Sequence, residues 1–279
     1  MERNMEKVAL LKCNEYNLEL IENNLRHGFD LLGGEDFLKK LIPYNSKVLL
    51  KPNMLSVEGQ GSLVITNSVM FEAVIRIIKD YSSNISFGDS PGFGDSKRAA
   101  EKSGMMAVAE KYEVKFEDFK ESVHVKLDDS ILCKSWTVAR APYEADVVIT
   151  LPRLKTHAMA YYTGAIKNQF GCIPGTLKAT WHTRMPDANN FCKMLLDLNK
   201  LVNTNFAILD GIIAMQGNGP KNGSPYKMNT IIMGKSLSAV DSTAVRLIGY
   251  DNPLDTPVLK EVYDSKWGAV LPEEIQVLG

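Results

Sequence analysis

The run Lys155-Thr-His-Ala-Met-Ala-Tyr-Tyr-Thr-Gly-Ala-Ile-Lys167-Asn168 brings two lysines, a histidine, two tyrosines, two threonines and an asparagine together around Gly164. Histidine changes charge near neutral pH and relays protons. Lysine pairs with a carboxylate or phosphate, or forms a covalent adduct when its basicity is depressed. His157 and Lys167 therefore read as a catalytic pair. Lys155, Thr163 and Asn168 read as substrate contacts, and Gly164 as a point of close backbone approach. A surface loop with a structural histidine and solvated lysines would have the same composition. What favours function is position: the run follows Asp146-Val-Val-Ile-Thr-Leu-Pro152, a buried apolar strand with a proline stop, and open α/β sheets bind ligands just past strand ends.

Three further segments end predicted strands. Lys51-Pro-Asn53 precedes a glycine-rich stretch, and Lys51 and Asn53 are candidate anion contacts. Gly88-Asp-Ser-Pro-Gly-Phe-Gly94 resembles an anion-cradling loop before a helix N-terminus, with Asp89, Ser90 and Gly92 as contacts. It is neither a Walker A loop nor G-x-G-x-x-G. Asp210-Gly211 and the 216–224 stretch add Asp210 and Asn218. His182, in Thr180-Trp-His-Thr-Arg184, suits a lid over such a site. A parallel sheet would point these ends the same way, so they are expected to converge.

The elements that must position them alternate. Strands are expected at 7–12, 47–51, 84–88, 146–151, 205–210 and 230–233. Helix-spaced apolar residues fill 17–41, interrupted at Gly33-Gly34, and helices follow at 68–81, 96–112, 187–202 and 238–248, the last capped by Ser238. Residues 114–140 read as a small antiparallel patch, and 215–225 as too rich in glycine and proline for regular structure. This order predicts an α/β fold: a mostly parallel sheet with flanking helices, one domain over 1–279, and a lobe boundary, with the site between lobes, within 110–145.

Composition narrows the class. A formal net charge of −1 gives no electrostatic case for nucleic acid. No apolar run reaches membrane-spanning length and no secretory leader is evident, so the expected location is cytoplasmic. Cys13, Cys133, Cys172 and Cys192 are scattered without a C-x-x-C pair, so the chain is not expected to bind an iron–sulfur cluster itself.

The chain resembles the domain-of-unknown-function family 362, whose members are often linked to ferredoxins. The resemblance rests on Lys51-Pro-Asn53, Gly88-Asp-Ser-Pro-Gly92, Leu-Pro-Arg-Leu-Lys-Thr-His157, Thr-Gly-Ala-Ile-Lys-Asn168, Gly171-Cys-Ile-Pro-Gly175, Asp210-Gly211, Gly217-Asn-Gly-Pro220 and Ala239-Val-Asp241. It implies an α/β fold and electrons from a separate ferredoxin-type partner or a C-terminal ferredoxin module, which this sequence does not contain. A second, more distant resemblance is to the nickel-pincer lactate racemase family, on His157, Ala160, Tyr162, Thr163, Gly164 and Lys167. It implies His157 in proton transfer, Lys167 as cofactor anchor, and His182 near a nickel ligand. That family's second proton-transfer histidine has no counterpart in residues 88–94 and the Pro-Gly is displaced, so the nickel-pincer nucleotide is not expected.

The resulting expectation is an enzyme acting on a small carboxylate or phosphate by His157/Lys167 acid–base chemistry, with a redox-linked form depending on an external or missing iron–sulfur module. The alternative is a non-catalytic ligand- or metal-binding module.

Overall fold

A computed structural model describes residues 5–92, 94–175 and 177–279. The first half runs β1 (Glu6–Lys12), α1 (Leu18–Leu32), α2 (Gly34–Leu41), β2 (Val48–Pro52), α3 (Ser68–Ile78), β3 (Ile85–Gly88), α4 (Ser96–Lys102), α5 (Met105–Lys111) and β4 (Lys115–Glu117). A hairpin of β5 (Ser122–Lys126) and β6 (Ser135–Ala139) leads through α6 (Arg140–Glu144) to β7 (Val147–Leu151), β8 (Arg153–His157), β9 (Tyr161–Thr163) and α7 (Ala165–Asn168). The remainder comprises α8 (Leu177–Arg184), α9 (Ala188–Val202), β10 (Phe206–Asn218), β11 (Asn222–Gly234), α10 (Leu237–Leu247), α11 (Pro257–Asp264) and β12 (Ile275–Leu278). The main sheet has the order β12-β1-β11-β10-β7-β2-β3-β4, with β8 beside β10 and β9. From β10 to β4 every neighbouring pair is parallel, and β11 runs antiparallel to both β1 and β10. The chain is thus α/β with a mostly parallel sheet.

The central strands explain themselves. All five residues of β2 and of β7 are buried, as befits strands covered on both faces. Side chains alternate across the sheet. Leu49, Val148 and Ala207 join the core under α9, α10 and α11. Leu50, Ile149 and Ile208 join the core under α1 and α3. Helix α1 buries Ile21, Leu25, Phe29 and Leu32 at helical spacing, and the Asn17 side chain caps it by accepting from the Leu20 N–H.

Several expectations need correction. The 96–112 helix is two, broken where Gly104 takes a left-handed conformation (φ 80°). The cap of α10 is Ser236, not Ser238. Residues 215–225 are not irregular: β10 and β11 are 13 residues each and pair as far as Asn218 and Asn222. The antiparallel ladder supplies the backbone partners that composition alone seemed to deny. The 155–168 run falls in β8, β9 and α7. The expected antiparallel patch is the β5–β6 hairpin. The Asp197 carboxylate of α9 ties down its loop by accepting from the Ile131, Leu132 and Cys133 N–H groups at 2.6, 2.8 and 2.7 Å.

One topological feature positions the site. Strands β2 and β7 are adjacent, but the chain leaves β2 toward β3 on one side and β7 toward β10 on the other. The connections beyond their carboxyl ends part to opposite sides, which leaves a crevice, the place where open parallel sheets hold ligands.

Candidate functional site

A cavity of about 610 Å³ occupies this crevice. The end of β2 gives it Asn53, and the turn after β3 gives Asp89, Ser90 and Gly92. Strands β8 and β9 supply Lys155, His157 and Thr163, and α7 supplies Lys167 and Asn168. Helix α8 contributes Lys178 and His182, and the tip of the β10–β11 hairpin contributes Asn218. Eleven of the sequence-predicted site residues thus meet at one cavity, drawn from segments far apart in the chain.

Three predicted contacts do not line it. Lys51 is fully buried, and its Nζ donates to Asp89 Oδ1 at 2.9 Å. Asp210 is also fully buried: it accepts from Arg153 Nη1 at 2.6 Å and from the Tyr16 hydroxyl at 2.7 Å. Gly164 serves packing, since a Cβ there would lie 2.2 Å from an Asp241 carboxylate oxygen. Each spends its polarity or its smallness on the scaffold beneath the site.

The described part of the 88–94 turn, which leaves out Phe93, works differently from an anion cradle. Asp89 accepts from Lys51, from the Met54 N–H at 2.7 Å and from the Ser90 N–H at 3.0 Å, so those donors are already engaged. Ser90 Oγ in turn accepts from the Gly175 N–H at 2.8 Å. Asp89 and Ser90 therefore fasten the ends of β2 and β3 to the 171–175 turn. Gly171 is required there, because a Cβ would sit 1.8 Å from Asp89 Oδ1 and 2.7 Å from Lys51 Nζ. Gly171→Ala should destabilise the chain by about 1–3 kcal/mol through this overpacking. Denaturant unfolding checks it; a midpoint equal to that of the parent would show the turn is free to shift.

An asparagine pair organises the cavity floor. Asn53 Nδ2 donates to Asn168 Oδ1 at 2.8 Å, and Asn53 Oδ1 accepts from Lys155 Nζ at 2.8 Å. Asn168 Nδ2 donates to Thr150 Oγ1 at 2.8 Å. Lys155 Nζ also donates to the Val64 carbonyl. Burial holds its basicity well below the ordinary lysine range, and Lys167 pushes the same way.

Asp241 sets Lys167 in place. Its carboxylate accepts from the Ala165 N–H at 2.6 Å, the Ile166 N–H at 3.1 Å and the Tyr162 hydroxyl at 3.3 Å, anchoring the start of the short helix α7. Burial raises its pKa to about 7. Lys167 itself has no hydrogen bond or ion pair among the described residues, and burial lowers its pKa to about 8. Lys178, which was not anticipated, is buried on α8, donates to the Ile173 carbonyl, and is lowered by burial to about 8. Its sequence signal was faint: Lys178 and Trp181, three residues apart, share the buried face of a helix with little amphipathic character.

His157 is neutral here. Burial, then Lys167 and Lys155, pull it down to about 2. Its Nδ1 accepts from the Met159 and Ala160 N–H groups, each at 3.2 Å. An accepting Nδ1 places the ring proton on Nε2, so that nitrogen acts as a donor. His182 lies exposed at the rim, stacked 5.1 Å from Phe191 and edge-on to Phe170. Thr163 Oγ1 is buried and has no partner among the described residues. Cys172 is buried and its thiol is pushed up to about 12, which leaves it inert.

These residues do not fit the nickel-pincer nucleotide of the lactate racemase family. The turn that would carry the second proton-transfer histidine holds Asp89 and Ser90, both engaged in the scaffold, and the described cavity histidines are His157 and His182 alone. Among the described residues no group of three or more His, Cys, Asp or Glu side chains is placed to hold a metal ion. Among them, too, no helix is long and apolar enough to cross a membrane.

The fold has relatives. The lactate racemase apoprotein from Thermoanaerobacterium thermosaccharolyticum superposes with a TM-score of 0.52 at 11% identity, over 85% of this chain and 55% of that one. A Thermotoga maritima protein gives 0.49 at 12% identity, over 77% and 55%. The chain spans about half the length of these solved structures, and the first likeness is one of fold. A thylakoid-associated protein of Synechocystis is 31% identical over 256 residues, 91% of this chain and 78% of that protein. The model of the family described as a domain of unknown function, DUF362, matches residues 48–246. With most of its length so matched, from the β2 strand through the α10 helix that carries Asp241, the chain belongs to the DUF362 family.

Proposed function

We propose that the chain is an enzyme acting on a small substrate that bears a carboxylate or phosphate. The observation that carries this reading is the charge balance of the cavity. Lys155, Lys167 and Lys178 face one space, with Lys221 at its exposed edge, and Asp89, the single carboxylate among its described lining residues, is already paired with Lys51. Burying cations without counter-charge is costly. A bound anion would offset that cost, so the free site is built to receive one.

The roles follow from protonation. A lysine with a pKa near 8 is partly neutral at physiological pH, and only the neutral amine is a base or nucleophile. Lys167 therefore suits proton abstraction or attack on an electrophilic carbon. His157, neutral with its proton on Nε2, suits hydrogen bonding to an oxygen that gains negative charge. This reverses the simplest assignment, in which the histidine is the base. Lys178 supplies the anion contact, and the Thr163 hydroxyl, without a partner among the described residues, supplies a neutral one.

The test uses thermal melts at constant ionic strength against chloride, with phosphate, pyruvate and lactate as probes. At least one probe should raise the midpoint saturably, and Lys178→Met should weaken that response by roughly tenfold or more. Loss of carbon-bound protons to D2O, followed by NMR, separates catalysis from mere binding. A flat melting response to every probe would end the proposal.

A further inference from the structure

Resting on that reading, we infer that Lys167 forms an imine with the carbonyl carbon of a small 2-oxo acid whose carboxylate faces Lys178. Three observations support it. First, the Lys167 amine lines the cavity with no hydrogen-bond partner among the described residues, whereas Lys51 and Arg153 are both held by carboxylates. An amine meant only to grip an anion gains nothing from losing its charge. One meant to attack carbon does, and desolvation inside a protein cavity is a known way to produce it.

Second, the donors are unequally committed. Lys155 Nζ already donates to Asn53 and to the Val64 carbonyl. Among the described residues Lys178 Nζ donates to the Ile173 carbonyl alone, so as an ammonium it keeps two N–H groups for a carboxylate. Third, the Thr163 hydroxyl is 2% exposed and without a partner among the described residues, and it lines the cavity. A buried hydroxyl without a partner costs stability unless a ligand satisfies it. With His157 Nε2–H it provides a second donor for the oxygen that leaves.

The step balances without any oxidant. The Nζ lone pair attacks the carbonyl carbon, forming the C–N bond as the C=O π electrons move to oxygen. The oxygen takes up a proton and the nitrogen gives one up, which yields a carbinolamine. Loss of the hydroxyl as water then gives the imine, so amine plus ketone becomes imine plus water. The protonated imine is an electron sink that acidifies the adjacent carbon, and protons there exchange with solvent.

The experiment is reductive trapping of the full chain with pyruvate and sodium cyanoborohydride near pH 7.5, read by intact mass and peptide mapping, with pyruvate melts in parallel. A single adduct on Lys167 is expected, absent in Lys167→Arg. Lys178→Met should need at least tenfold more pyruvate for half-maximal trapping. At this pH Lys167 carries on the order of a hundredfold more neutral amine than an ordinary lysine, which makes the labelling selective over surface lysines; over Lys178, whose basicity is lowered alike, it is selective because that amine is held by the Ile173 carbonyl. Label scattered over surface lysines, or none, with a saturable pyruvate melt that Lys178→Met abolishes, would overturn the imine and leave the anion site standing. Neither trapping nor any anion-dependent melt would overturn both.

Discussion

Lys167→Met should abolish pyruvate trapping and proton exchange while making the free chain more stable at pH 7. The two effects share one cause. The folded state lowers the Lys167 pKa from its ordinary value to about 8 by burying the ammonium. Between that value and the unfolded one, the unfolded chain binds the extra proton, so stability rises with pH across this window. Below about pH 8 the full cost of the buried charge is present; above about pH 10.5 it is gone. Methionine has similar length and no charge. Because Lys167 is partly exposed to the cavity, the gain at pH 7 should be about 1–3 kcal/mol, and it should shrink as pH rises toward 10.5. Denaturant melts at pH 7 and pH 10 check the sign. A variant less stable than the parent at pH 7 would show that Lys167 is structurally paired. A more stable but inactive variant removes misfolding as an explanation for lost chemistry.

Asp241→Ala should do the opposite, lowering stability and displacing Lys167 together. The substitution strands the Ala165 and Ile166 N–H groups and the Tyr162 hydroxyl in a buried setting. Each orphaned donor costs about 1–3 kcal/mol, offset in part by removing a carboxylate that burial already disfavours. The expected net loss is about 2–4 kcal/mol at pH 6. The parent chain has a pH signature of its own. The folded pKa of Asp241, about 7, lies above its ordinary value. Its contribution is therefore fully favourable below about pH 4 and is lost as pH rises through 7. The variant lacks this dependence, so the stability gap should narrow from pH 6 to pH 8. A gap that widens would mean the ionised carboxylate is the favoured cap. Pyruvate trapping in folded Asp241→Ala should fall at least tenfold, since α7 no longer holds the amine in register, whereas a purely structural role would leave it unchanged.

Much of the site was legible because its residues follow parallel strands. Strand ends in such a sheet share a direction, so Asn53, Asp89, Lys155, His157 and Lys167 could be assigned to one place from order alone. Secondary structure failed where pairing overrode composition, as in the β10–β11 hairpin, whose ladder absorbs glycines and prolines that locally argue for a loop.

The residue types and their order determined that this chain folds as a mostly parallel α/β sheet and that a histidine, several lysines and two asparagines gather past its strand ends. Only the tertiary structure decided which of them remain free to act. Lys51 meets Asp89 across 38 residues and Arg153 meets Asp210 across 57, so both cations are neutralised, while Lys167 is left without a partner among the described residues and Lys178 is drawn in from α8. The physical reason is that a side chain's charge, basicity and hydrogen bonds depend on burial and on neighbours distant in sequence, which local spacing does not encode.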